Sequence, residues 1–260
     1  MRRRQLFEWE DLAGFPSVLR DLMTDYLRHA VQVFGLAKPV IPILDELLER
    51  TGRRTIVDLA SGGGGPWRTL APALRARYPE LRIVLSDLHP NVSALERTRD
   101  VAGPGIEVRR EPLDARSVPG DLEGLRTQFL SLHHFAPEDV RAMLARAVAG
   151  GHPIAAFEFQ ERSVAQVIQF ALSPIFVLIL SLTIRPFRWR RLLFTYLIPI
   201  VPLLIMWDGV VSVLRTYTVE EVNQIIATVP GGETFAWDVG IEKSGPATVF
   251  RLIGVPRPTV

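Results

Sequence analysis

The sequence predicts an α/β fold built on a doubly wound, mostly parallel seven-stranded sheet, with a C-terminal antiparallel hairpin, an N-terminal helical cap and an apolar helical insertion. Three observations predict it. From Arg54 onward, short apolar runs alternate with helix-period segments, the pattern of parallel strands joined by crossover helices. The first run stops in an acid and a glycine cluster, TIVDLASGGGGPW from Thr55 to Trp67, and the second, LRIVLSDLHPN from Leu81 to Asn91, also ends in an acid. The final segment changes in kind: the runs ETFAWDVGI and PATVFRLIGV are joined by a short Gly-containing link from Glu242 to Gly245, which fits a hairpin rather than another crossover.

Residues 1–50 form the cap. Val18, Leu19, Leu22, Tyr26 and Leu27, then Ile43, Leu44, Leu47 and Leu48, recur on a helical period, punctuated by Pro16, Pro39 and Pro42. Residues 51–163 form the core. A strand over 54–59 precedes a helix opening at Pro66, whose Trp67, Leu70, Leu74 and Tyr78 share one face. A strand over 81–86 and a helix from about Pro90 follow, then strands from Ile106 to Arg109 and from Thr127 to Leu132. A helix from Pro137 to Val148 and a strand from Pro153 to Phe159 complete this part. Residues 164–214 are the apolar insertion. Residues 215–260 return to the core, where Thr218 and Glu221 form a capping box that opens a helix over 219–229 ahead of the hairpin.

Composition narrows the function classes. The 260 residues suffice for one large α/β core with a sizeable insertion. The mean hydropathy of +0.18 is high for a soluble enzyme, and the excess is concentrated in the insertion. A net charge of +2 gives no argument for nucleic acid, although Lys38 and Lys243 are the only lysines beside many arginines. The absence of cysteine excludes disulfides and thiolate metal sites and suits a cytosolic catalytic domain. The start MRRRQLFEWEDL is basic but has no apolar stretch behind it, so no signal peptide is expected.

An apolar strand that stops in an acid, followed by glycines and a helix, brings bare backbone to a ligand at the helix N-terminus. Asp87, at the end of the second strand, adds a carboxylate suited to a ribose diol. Two nucleoside cofactors compete for such a site. A dinucleotide loop wants G-x-G-x-x-G, but counted from Gly62 the third glycine falls on Trp67, with Pro66 before it. The run Asp58, Ala60, Gly62 and Gly64 is similar instead to the first-strand loop of the class I S-adenosylmethionine-dependent methyltransferases. The chain resembles that Rossmann-like family over roughly residues 54–160 and 216–255, terminal hairpin included.

The resemblance implies S-adenosyl-L-methionine as cofactor. It implies Asp58 near the methionine or the loop backbone, Asp87 on the ribose hydroxyls, and Asp114, in EPLDA, at the adenine amino group. It further implies contacts from Ala60, Ser61, Gly62, Gly64, Leu88, Ala115 and Ser131. Ala60 stands where the family carries its first glycine. Structural alternatives accompany these roles: a flexible turn for the glycines, a helix N-cap for Asp87 and a turn residue for Asp114.

Methyl transfer from a sulfonium is an in-line displacement that requires alignment and exclusion of water, and no metal. A hydroxyl or phenol acceptor benefits from a base, and a carbon acid from a base or a carboxylate near the developing charge; the sequence does not identify which atom, O, N or C, accepts the methyl group. The fourth strand ends in Ser131-Leu132-His133-His134-Phe135, a run similar to one in quinone-biosynthesis-type methyltransferases, and His133 or His134 is a candidate general base. The alternative is that they hydrogen-bond the backbone and shape the pocket. Glu158, at the end of the fifth strand, is a second candidate base, or a partner for an arginine such as Arg162. No acyl-transfer triad and no histidine metal spacing is present.

The insertion carries no charge from Val164 to Ile184 and none from Leu192 to Trp207, and each run approaches a bilayer crossing in length. Between them stands RPFRWRR, with Arg185, Arg188, Arg190 and Arg191. A two-span hairpin would put these arginines opposite a cytosolic core, against the positive-inside bias, and Pro174, Pro199 and Pro202 disfavour straight spans. The favoured arrangement is interfacial: bent apolar helices on the lipid surface, arginines on anionic headgroups, and the catalytic domain on the cytoplasmic side. True spanning and a soluble lid or dimer face are the alternatives. An apolar cover over the acceptor implies a hydrophobic small molecule or lipid as partner. Asp208, costly to bury beside Trp207, is a further candidate catalytic residue, or a helix cap where the chain turns at Gly209. Tyr26 and Trp9 are either cavity-lining or core residues. Two other classes stay open: an NAD-dependent oxidoreductase, and a non-catalytic membrane adaptor that retains the fold.

Overall fold

The computed structural model describes residues 1–12, 14–244 and 247–258. Strands β1 (Thr55–Asp58), β2 (Arg82–Leu85), β3 (Ile106–Val108), β4 (Leu125–Phe129) and β5 (Ile154–Glu158) are parallel, and β6 (Phe235–Ser244) and β7 (Ala247–Pro256) add an antiparallel pair. The seven strands lie in the order β3-β2-β1-β4-β5-β7-β6, as the alternation of runs and the final hairpin predict. The order reverses between β1 and β4. Ligands of open α/β sheets bind at such a switch point, beyond the C-terminal ends of the strands.

Helices α1 (Ser17–Val33) and α2 (Val40–Thr51) form the cap, and α3 (Trp67–Arg75), α4 (Val92–Ala102) and α5 (Pro137–Ala149) are the crossovers. Local chemistry sets their ends. Gly52 closes α2 at a left-handed φ of 63°, Asn91 caps α4 by accepting from Ala94 N–H, and Pro137 opens α5. One core packs α2 and α3 on one face of the sheet, around the fully buried Trp67, whose ring meets Phe129 edge-on at 5.5 Å. A second packs α5 on the opposite face.

The insertion folds as α6 (Val164–Ala171), α7 (Ser173–Leu180), α8 (Trp189–Leu192), a π-helical turn (Leu193–Leu197) and α9 (Ile200–Arg215); α10 (Val219–Ile226) follows with the predicted Thr218–Glu221 capping box. A third core joins cap and insertion, with Leu22, Met23 and Tyr26 against Val177, Val201 and Ile205. At Gly209 the contact between α9 and α6 is so close that a Cβ would stand 2.4 Å from Phe170 Cδ1. Asp25 ties the two parts electrostatically, pairing with Arg28 at 2.8 Å, Arg191 at 3.1 Å and Arg188 at 3.3 Å. Among the described residues no single helix is long and apolar enough to cross a bilayer; one pair, bent by 77°, matches by length and composition only.

Several expectations need correction. The fourth strand spans Leu125–Phe129 rather than Thr127 to Leu132, because Leu130 turns to φ 52° and Leu132–His134 form a 3-10 turn. The helix after the capping box stops at Ile226, three residues before position 229. The first hairpin strand runs further than expected, since β6 includes Glu242 and reaches Ser244; β7 is shifted by one residue at the same length, and Gly245 of the expected link lies outside the described residues. Asp208 caps no helix at a turn of its own segment, since α9 continues through it and through Gly209 to Arg215.

Candidate functional site

The loop after β1 is set by its acid. Asp58 is buried, and its carboxylate accepts hydrogen bonds from Ser61 Oγ at 2.6 Å and Thr127 Oγ1 at 2.8 Å. Burial pushes its pKa up to about 7, against the pull of these donors. Asp58 therefore braces the loop from below. Ala60, Gly62 and Gly64 all take left-handed backbone, with φ of 55°, 54° and 68°. Gly62 faces open space, whereas added side chains at Gly63 and Gly65 would meet Thr24 and Arg28 of α1. The cap thus packs directly on the glycine loop.

Asp87 lies just beyond β2. One of its oxygens accepts Gly62 N–H at 2.8 Å and the other His89 N–H at 2.9 Å, so it bridges the two strand ends; the cap of α4 is Asn91 instead. Leu88 beside it is exposed. Asp114 caps the 3-10 turn Ala115–Ser117, and Arg116 forks onto its carboxylate at 2.7 to 3.1 Å and holds its pKa below the usual range. Ala115 is buried in the core, and Ser131 is buried with its hydroxyl unpartnered. Left-handed backbone, open space at Gly62 and an acid at the end of the next strand fit an adenosyl group at the switch point.

His133 and Glu158 come together. Glu158 Oε1 accepts the His133 backbone N–H at 3.1 Å, and both its oxygens stand 3.0 Å from His133 Nδ1. Glu158 does not pair with Arg162, which reaches Glu221 at 2.8 Å. A carboxylate accepts only, so it assigns the proton to Nδ1 and leaves the Nε2 lone pair free. Nε2 is buried without a hydrogen-bond partner, 3.8 Å from Glu8 Oε1.

Glu8 comes from a segment in which no catalytic or cofactor-binding residue was expected. Residues 1–12 strap across the 131–135 turn: Arg3 donates to the Arg215, His133 and Phe135 carbonyls, and Arg215 stands 3.0 Å from Glu8 and 2.6 Å from Asp11. His134 Nδ1 meets Asp11 at 2.8 Å. Burial opposes its protonation, but Glu8 and Asp11 outweigh this and raise its pKa to about 9. Glu8, His133 and His134 could converge on a metal ion. The Arg215 guanidinium against Glu8 and the engaged Nδ1 atoms make an ion-pair network the better account.

Asp208 faces the same region, accepting Trp9 N–H at 2.8 Å and Glu10 N–H at 3.3 Å. Burial raises it to about 6, and burial with Asp208 nearby raises Glu10 to about 8. A cavity of about 370 Å³ collects these groups: Glu8, Glu10, His133, His134 and Asp208 form a polar end, and Met23, Tyr26, Leu27, Phe34, Phe170 and Phe176 form apolar walls. Tyr26 lines it, while Trp9 packs on Phe7 and Phe15 instead.

No protein-family model and no curated protein sequence matches the chain. Solved structures do. An O-methyltransferase family protein from Burkholderia thailandensis matches at a TM-score of 0.51 and 17% identity, over 91% of this chain and 59% of that one. The pyocyanin biosynthetic protein PhzM matches at 0.51 and 17%, over 88% and 56%. The plantazolicin methyltransferase BpumL, solved in complex with SAH, matches at 0.53 and 11%, over 93% and 88%. The chain thus spans less than two thirds of the length of the first two. Sheet order, terminal antiparallel pair and these matches agree: the chain has the fold of the class I S-adenosylmethionine-dependent methyltransferases.

Proposed function

We propose that the protein is an S-adenosylmethionine-dependent methyltransferase that methylates a hydroxyl of a hydrophobic, lipid-like small molecule and works at a membrane surface. The observation that carries this reading is His133, with Nδ1 anchored on Glu158 and Nε2 unpartnered among the acids of a cavity whose walls are mainly apolar. The likeness of the fold to methyltransferases supports the cofactor.

The glycine loop, Asp87 and Ser131 would hold the cofactor, which supplies an electrophilic methyl group when bound. Asp58 keeps the loop in shape, and Asp114 sits at the neighbouring strand end, engaged by Arg116. His133 Nε2 takes the proton from the acceptor hydroxyl as its oxygen gains the methyl group. Glu158 holds the ring in the tautomer that can do so and balances the charge of the imidazolium. The apolar walls bind the body of the acceptor and exclude water. The cavity suits an acceptor with one polar end, because its acids and histidines are confined to one side.

Calorimetry with S-adenosylmethionine, S-adenosylhomocysteine and NADH tests the cofactor. Binding of the first two without NADH is expected, and binding of NADH alone overturns the proposal. Incubation with labelled cofactor and a lipid extract, followed by mass identification of the product, tests the acceptor; an O-methylated apolar compound is expected.

A further inference from the structure

The insertion is attached by one side only. Helix α9 buries eight residues against the rest of the molecule, whereas α6 buries none and α7 buries only Ser173 and Val177. The outward surface of α7 and the chain beyond it is large and apolar: Ile175, Ile179, Leu182, Phe187, Trp189 and Leu197 are 55 to 77% exposed. Isolated exposed apolar residues are ordinary, but so many within one short segment mark an interaction surface.

Charge narrows the partner. No acid occurs from Val164 to Trp207, and the charged residues there are Arg185, Arg188, Arg190 and Arg191. Arg188 and Arg191 are turned inward onto Asp25, while Arg185 and Arg190 are exposed, Arg190 above the exposed Trp189 ring at 5.7 Å. Apolar side chains beside outward arginines and an interfacial tryptophan complement a bilayer with anionic headgroups.

The cavity reaches the same surface. Leu27, Phe34 and Phe176 line it and are also 39 to 44% exposed. Phe34, just past the end of α1, and Phe176, on α7, meet edge-on at 6.1 Å, so the lip of the cavity is shared between cap and insertion.

We propose that the apolar face of α7 and the arginine loop docks on an anionic lipid bilayer, with the lip at Phe34 and Phe176 turned to the lipid so that an acceptor passes from bilayer to cavity without crossing water. The passage rests on the methyltransferase reading; the docking does not.

The test uses the full chain and needs no turnover. In flotation with phosphatidylcholine vesicles with and without phosphatidylglycerol, the protein should float, and more strongly with phosphatidylglycerol. Leu182→Glu with Leu197→Glu should abolish flotation while leaving S-adenosylhomocysteine affinity unchanged, which also verifies folding. Arg185→Gln with Arg190→Gln should lose the phosphatidylglycerol preference, by about fivefold per arginine. Because the chain has no cysteine, Phe176→Cys and Asp100→Cys accept single fluorescent labels. Quenching by brominated acyl chains at position 176 and not at 100 is expected. Failure to float, quenching at 100 as strong as a clear quenching at 176, or a dimer that the Leu182→Glu, Leu197→Glu pair dissociates while no vesicle binds, would overturn the docking. Flotation without quenching at 176 would overturn the passage, and loss of cofactor binding by the wild-type chain would count against the methyltransferase reading alone.

Discussion

His133 Nδ1 lies 3.0 Å from both carboxylate oxygens of Glu158, and both side chains are buried. Glu158 ends β5, and His133 lies in the 3-10 turn just beyond β4, which pairs in register with β5 from Arg126 with Ile154 to Phe129 with Phe157. The sheet register and that turn together build the dyad. A rotation of the ring would leave the buried carboxylate with only the His133 backbone N–H, at a cost of a few kcal/mol, so the geometry is stiff.

The dyad predicts a graded loss of activity. His133→Gln should lower kcat by roughly 10²- to 10⁴-fold, the usual contribution of a general base, with cofactor affinity unchanged. Glu158→Gln should lower it less and shift the pH profile of kcat, because an amide can present the wrong tautomer. Steady-state kinetics across pH measures both. An unchanged kcat for His133→Gln would remove it from the reaction.

At the cofactor loop, Asp87→Ala should weaken S-adenosylhomocysteine binding, since a hydrogen bond to a charged group is worth about 1.5–3 kcal/mol. Part of the loss would come from the loop itself, which Asp87 holds through Gly62 N–H. Titration calorimetry separates the outcomes, and an unaltered affinity would take Asp87 out of the site.

Ala60 occupies left-handed backbone at φ 55°, costly for a side chain with a Cβ. Ala60→Gly should raise stability by up to about 1 kcal/mol, net of the greater freedom glycine has when unfolded. Ala60→Val should lower stability by more than that. Denaturant unfolding with cofactor absent reads both directly.

Stability should fall as the solution becomes basic. His134 has a folded pKa raised to about 9 beside Glu8 and Asp11, so its contribution is complete below its unfolded value near 6.5 and is lost as pH rises through 9. The melting temperature should therefore drop by roughly 5 °C between these limits. His134→Gln should reduce the slope in that window and leave the part carried by Glu10, whose carboxyl burial raises to about 8. A wild-type slope unchanged by the substitution would mean that other groups carry it.

Much of this was legible in the chain. The strand-and-helix alternation, the capping box at Thr218 and the hairpin follow from patterns a few residues long, so they survive in the structure with shifts at their ends. The errors fell where tertiary contacts override local pattern. Leu130 and the 3-10 turn cut β4 short, and α9 runs straight through Asp208 and Gly209, where a turn with Asp208 as helix cap was the alternative reading. Among the candidate residues, Glu158 was a candidate base with Arg162 as its alternative partner, and the fold gives it instead a histidine in the turn beyond the adjacent strand.

The sequence by itself determined the fold class, the acids at successive strand ends and the apolar character of the insertion, because hydrophobic period, glycine conformation and turn chemistry are local properties. Only the tertiary structure decided that the first twelve residues strap over the histidines and bring Glu8 and Asp11 to Arg215, about two hundred positions away. That strap has no period and no motif. Its position comes from long-range ion pairs and carbonyl contacts that exist only once the sheet has brought β4, β5 and α9 side by side.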